Sequence, residues 1–123
     1  MRNDCKIKKN AEYRAVYGNG KSAANRHLVV YIKENGLGAN RFGITVSRKV
    51  GKAVVRNKVK RRLRAVIHTF CVQSPHAGIG NHYDIVVIAR QGAGEAVFAE
   101  LREGFTKLLI KMKVYNAAGE RTV

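Results

Sequence analysis

Residues 48–64 read RKVGKAVVRNKVKRRLR, and nine of these seventeen positions are Lys or Arg with no acid among them. From within this stretch onward, Val55, Val59, Leu63, Val66, Ile67 and Phe70 recur at spacings of three and four. On a helix turning about 100° per residue they form one apolar stripe, while Arg56, Lys58, Lys60, Arg61, Arg62 and Arg64 cover most of the remaining circumference. One side is built to pack and the other to meet a polyanion. A basic face that only meets solvent mixes both signs, yet the chain has no carboxylate between Asn35 and Tyr83. Two expectations follow: a helix over about 53–72 docked on a sheet, and a nucleic-acid contact on its exposed side.

The flanks supply the sheet. Residues 41–47 (RFGITVS) alternate Phe42, Ile44 and Val46 with Gly43, Thr45 and Ser47, so they read as a strand with one open face of small residues. Upstream, 21–34 reads as extended chain with Leu28, Val30 and Ile32 on one side and His27, Val29, Tyr31 and Lys33 on the other. The intervening NGLGAN (35–40) has the composition of a hairpin connection. Downstream, 73–82 holds the only proline and two glycines and reads as a loop. Residues 83–90 (YDIVVIAR) are the most continuous apolar run, which suits an interior strand.

Helices close both ends. Asn10 is placed to cap a short helix over 11–17, ended by Gly18 with Gly20, and Tyr13 and Tyr17 share one face of it. A final helix over about 94–115 has Val97, Leu101, Phe105, Leu108, Leu109 and Met112 on its packing side, with acids early and bases late as the helix dipole favours. The order is helix, strands, helix, strand, helix, with no repeat. Two amphipathic helices on one sheet is the economical α+β solution, and it leaves only the short first helix near the second sheet face. Residues 1–8 and 116–123 are expected to be loosely held.

Length and composition bound the function. A chain of 123 residues makes one domain over 1–123, large enough to bury roughly two-thirds of its unfolded surface. Its 24 Lys and Arg against 8 Asp and Glu give a formal net charge of +16. A folded scaffold with that charge favours association with a polyanion. No apolar run approaches the roughly 20 residues of a membrane span, and no charged-then-apolar signal segment opens the chain. Cys5 and Cys71 are far apart with no CxxC pair, which reads as two reduced thiols in a cytoplasmic protein and not as a metal knuckle.

Catalytic chemistry is not written in the side chains. Eight scattered acids do not make the clustered carboxylates that hold nuclease metals. His27, His68, His76 and His82 supply acid-base candidates for a metal-independent ribonuclease, but nothing in their spacing pairs them. Neither a catalytic residue nor a protein metal site is assigned. What remains is binding chemistry: aromatics on an open sheet face stack unpaired bases, and Lys33, Arg41, Arg48, Lys49 and Lys52 meet phosphates by charge.

Three segments together resemble the protein component of bacterial ribonuclease P: IKKNAEYRAVYGNGKSAANRHLVVY, RFGITVSRKVGKAVVRNKVKRRLR, and YDIVVIAR followed by an amphipathic helix. The resemblance covers about residues 7–113. It implies a two-layer domain with a four-stranded sheet and three helices in the order α-β-β-β-α-β-α, including a left-handed β-α-β crossover where parallel crossovers are otherwise right-handed. It implies a ribonucleoprotein endonuclease that removes the 5′ leader of precursor tRNA, with catalysis by the RNA subunit and Mg2+ bound mainly by that RNA. The expected partners are the catalytic RNA and precursor tRNA, with no membrane and no small-molecule substrate.

Residue by residue, the family's helix motif falls on Arg56, Asn57, Lys58, Lys60 and Arg61. With Arg48, Lys49, Lys52 and Arg64 these form the expected surface for the RNA subunit. Lys58 stands where the family has Arg, which keeps the charge without the planar fork. The leader cleft falls on Tyr13, Tyr17 and Tyr31, beside Lys33 and Arg41. The first two are more often Phe in the family, and Tyr115 aligns near another cleft-edge aromatic. The alternative reading is an RNA-binding module of the ribosome or an RNA chaperone with no enzymatic partner.

Overall fold

The computed structural model describes residues 6–36, 40–71 and 83–112. Three helices, α1 (Asn10–Asn19), α2 (Ala53–Cys71) and α3 (Phe98–Lys111), accompany four strands, β1 (Lys21–Ala24), β2 (Leu28–Glu34), β3 (Arg41–Val46) and β4 (Tyr83–Ala89). Short 3-10 turns precede α2 at Arg48–Val50 and α3 at Gln91–Glu95. The chain is thus α+β in the expected order. The sheet order is β1-β2-β4-β3, with β2 antiparallel to both neighbours and β3 parallel to β4.

That order corrects the expected hairpin at 35–40. β2 and β3 do not pair; β4 lies between them. Its run of Ile85, Val86, Val87 and Ala89 is buried, and a strand apolar on both faces is most stable with a neighbour on each side. The path from β3 to β4 goes through α2. The tip of the 35–40 segment (37–39), the loop 73–82 with His76 and His82, and Cys5, Lys113, Tyr115 and the tail lie outside the described residues.

Four further boundaries differ from the pattern. The extended reading of 21–34 is interrupted because Asn25 Oδ1 accepts the N–H groups of His27 (2.9 Å) and Leu28 (2.8 Å), reversing the chain into the β1-β2 hairpin. Asn10 is helical and does not cap α1; instead the Glu12 carboxylate accepts the N–H groups of Lys8 and Lys9, both at 3.0 Å. The last helix starts only at Phe98, with Val97 exposed (54%) as its N-cap and not on the packing face. Residues 6–8 are held, not loose: Ile7 is buried, and its N–H donates to Phe42 O at 2.9 Å.

Two cores flank the sheet. The larger packs Leu28, Val30, Ile32, Phe42, Ile85, Val87 and Ala89 against Val59, Leu63, Val66 and Ile67 of α2 and Leu101, Phe105, Leu108 and Leu109 of α3. Each large side chain so buried is worth about 1.5–3 kcal/mol, which holds the basic helix by the stripe read in its sequence. The smaller core, under α1, is Ile7, Val16 and Val86, with Tyr13, Tyr31 and Ile88 packed against it.

Candidate nucleic-acid interface

Register fixes what faces α1. Tyr31, Val86 and Gly43 form one cross-strand row; Val29, Ile88 and Thr45 form the next; Lys33, Asp84 and Arg41 form the third. Because side chains alternate faces, all nine belong to the sheet face opposite the large core. α1 lies over part of that face and adds three more rings and chains, Tyr13, Val16 and Tyr17.

Tyr13 and Tyr17 share a face as their spacing predicted, and Tyr31, grouped with them by the resemblance alone, meets Tyr17, but the three rings are not equivalent. Tyr13 and Tyr17 have centroids 6.4 Å apart, and Tyr17 meets Tyr31 edge-on at 5.1 Å. Tyr13 lies directly over Gly43: a Cβ there would sit 2.6 Å from the ring. The small-residue face is therefore filled at Gly43, not open. Burial and then the neighbouring Tyr17 push the Tyr13 phenol up. Tyr17 is the exposed ring (38%), and its hydroxyl is 3.4 Å from Thr45 Oγ1. Tyr17 with half-buried Tyr31 is the surface a base can reach.

Arg41 is not a free cation of that cleft. Its Nε and Nη2 donate to the two oxygens of Asp84 at 2.8 and 2.6 Å, and its Nη1 donates to Glu12 Oε2 at 2.6 Å. Asn35 Nδ2 adds a third hydrogen bond to Asp84. Hydrogen bonds from the backbone of Lys9 and Lys8, then from Arg41, hold the Glu12 carboxyl down at about 2. The Arg41 guanidinium is raised, first by its hydrogen bond to Asp84. Lys33 stays beside the rings, half-buried, with Nζ 3.2 Å from Glu34 O.

At the other end of the sheet the cations gather. β3 and β4 both finish there and α2 begins there. Gly51 adopts φ 154°, a conformation other side chains resist, and turns the chain tightly against Val55. Arg48, Lys49 and Lys52 are consequently exposed just before the helix. On α2, Asn57, Arg61 and Arg64 are exposed, and Arg56, Lys58 and Lys60 are half-buried. The Arg56 Nε is buried without a hydrogen-bond partner, whereas Arg62 is spent inside the protein, donating to Ala96 O at 2.7 Å.

Sequence reading missed two cations at this end. Leu28, Ala89 and Val46 lie in one row, so Arg26 and Arg90 emerge beside Arg48. Arg90 locks the hairpin turn through its N–H to His27 O and its Nη1 to Asn25 O, both 2.8 Å. The signal was present, since Arg26 shortly precedes one apolar strand and Arg90 directly follows another, but only the sheet order makes them neighbours. The two described histidines are not paired: His68 lies roughly 22 Å along α2 from its start at this end, where His27 sits. Among the described residues no three His, Cys, Asp or Glu side chains come together to hold a metal ion, and no helix is long and apolar enough to cross a membrane.

Known proteins are similar to this chain in sequence and in fold. The family model described as Ribonuclease P matches residues 1–113. The ribonuclease P protein component of Clostridium kluyveri is 42% identical over 111 residues, covering 90% of this chain and 96% of that protein. The solved RNase P protein of Staphylococcus aureus superimposes with a TM-score of 0.79 at 38% identity, covering 91% of this chain and 98% of the other. That of Thermotoga maritima gives 0.73 at 33% identity, over 86% and 96% of the two chains.

Proposed function

This chain belongs to the ribonuclease P protein family and is a protein component of that tRNA-processing endoribonuclease, partnered by an RNA subunit; from this we propose how its surfaces divide the work. The cationic end, with Arg48, Lys49, Lys52, Arg56, Asn57, Lys58, Lys60, Arg61 and Arg64, holds the RNA subunit. The face between Tyr17 and Tyr31, with Lys33 at its edge, holds the single-stranded 5′ leader of precursor tRNA. Tyr13 supports this wall from below. The observation that carries the reading is the exposed Tyr17 ring standing edge-on to Tyr31 over a sheet that ends in unanswered cations.

Stacking on such rings is worth about 1–3 kcal/mol per base and tolerates any sequence, which a variable leader requires. Phosphates met by the cations add affinity that weakens with salt. The two carboxylates nearest the cleft, Glu12 and Asp84, are both taken up by Arg41. Magnesium ions are thus better served by RNA phosphates, and we assign the cutting step and its Mg2+ to the RNA subunit, in the cytoplasm. The protein binds, orients and screens charge.

The test is reconstitution. Purified protein alone should leave precursor tRNA intact and should restore cleavage by a ribonuclease P RNA at low magnesium. Tyr17→Ala should weaken precursor but not mature tRNA binding. A protein that fails to stimulate that RNA overturns the division of labour.

A further inference from the structure

Arg41, Gly43 and Thr45 share one face of β3, and each meets a different residue of α1. Arg41 holds Glu12, Gly43 lies under Tyr13, and Thr45 reaches the Tyr17 hydroxyl. The helix is thus seated along one strand at three points. Its apolar anchorage is small, resting on Val16 with Ile7 and Val86.

We propose that Arg41 is a positioning residue for single-stranded RNA: it sets the place of the aromatic wall by holding Glu12, and it does not bind a phosphate. The proposal rests on the leader reading of the Tyr17-Tyr31 face. Three observations support it. The edge of the guanidinium suited to gripping a phosphate, Nε with Nη2, is closed on Asp84. The remaining nitrogen is engaged by Glu12. A phosphate approaching Arg41 would also meet two carboxylates against one cation, which repels it. Glu12, in turn, caps the first turn of α1 and directly precedes Tyr13. Through it, a residue of the sheet controls the tilt of the helix that carries Tyr17.

Glu12→Gln gives the deciding experiment, in the full chain assembled with a ribonuclease P RNA, alongside Arg41→Gln and Arg41→Lys. Removing a negative charge beside an RNA path tightens binding if charge alone matters. Here Glu12→Gln should instead lower the preference for precursor over mature tRNA about tenfold, as loss of a charge-assisted contact would. Arg41→Gln should match it with the same salt dependence as the parent. Arg41→Lys should recover little, because an ammonium cannot span both carboxylates.

The proposal is overturned if Arg41→Gln lowers the slope of log K against log salt by about 0.7, the signature of one lost single-strand phosphate, while Glu12→Gln is neutral or tighter. In the free protein, the proton contact between the Tyr17 and Tyr31 rings should weaken in the Gln variants, and its survival in both would also overturn it. Tyr17→Ala separates the two ideas. If precursor preference survives it, the leader reading falls, and the ring contact alone judges the clamp.

Discussion

The two ends of the sheet use the same residue type in opposite ways. At one end Arg41 is held by Asp84 and Glu12, Asn35 donates to Asp84, and Asn40 Oδ1 accepts the N–H of Tyr83 at 2.9 Å. At the other end Arg26, Arg48, Lys49, Lys52 and Arg90 are exposed. Arg41, with two carboxylates in reach, becomes part of the protein, whereas exposed Arg48 and Lys49 are left for a partner. Charge content therefore says little about function until the positions of the few acids are known.

Asp84→Ala should break this contrast most severely. Asp84 is 8% exposed and its partner Arg41 20%, so its loss leaves a largely buried cation with Glu12 as its remaining carboxylate partner. Discounted for partial solvent access, the cost is about 2–3 kcal/mol, read as a lower urea midpoint. Gly43→Ala comes next. Its Cβ would overlap the Tyr13 ring, and overpacking of this kind costs about 1–3 kcal/mol. Thermal unfolding and Tyr13 ring shifts would report it, and unchanged shifts would refute the stacked arrangement.

Arg48→Ala and Lys49→Ala should leave stability within about 0.5 kcal/mol. Each should nevertheless flatten the salt dependence of RNA-subunit binding by about 0.9 for a duplex phosphate. A loss of stability there with no change in slope would make these cations structural and erase the difference between the ends.

The smallest effect is on pH. The Glu12 carboxyl titrates near 4.5 when free and near 2 in the fold, so its contribution is fully present above the free value and is lost as pH falls through about 2. Tyrosine ring signals followed in acid should show α1 loosening across that window, and Glu12→Gln should remove the dependence.

Local chemistry was legible in the chain and long-range pairing was not. The stripe of α2 was readable because one face repeats every three to four residues, and Val59, Leu63, Val66 and Ile67 are buried as it predicts. Tyr13 and Tyr17 were readable as companions, but only Gly43 decides that the first is covered and the second is bare. Arg41 looked like one more phosphate ligand. Its partners are 29 and 43 positions away, so no window of sequence contains the interaction. The hairpin expected at 35–40 failed for a related reason: a turn-like segment is compatible with a hairpin without requiring one, and the buried run of β4 took the middle place.

The position of β4 has a consequence for biogenesis. The strand that joins β2 to β3 in the sheet is the last strand to leave the ribosome, after the whole cationic segment 48–64. Until it arrives, the β1-β2 hairpin and β3 share no ladder, neither core can close, and α1 has no Val86 to rest on. A nascent chain ending before Tyr83 therefore displays most of its positive charge on an unassembled scaffold. It is a polycation before it is a fold, and synthesis of this subunit presents its cationic segment to any nearby polyanion before the sheet that positions it has formed.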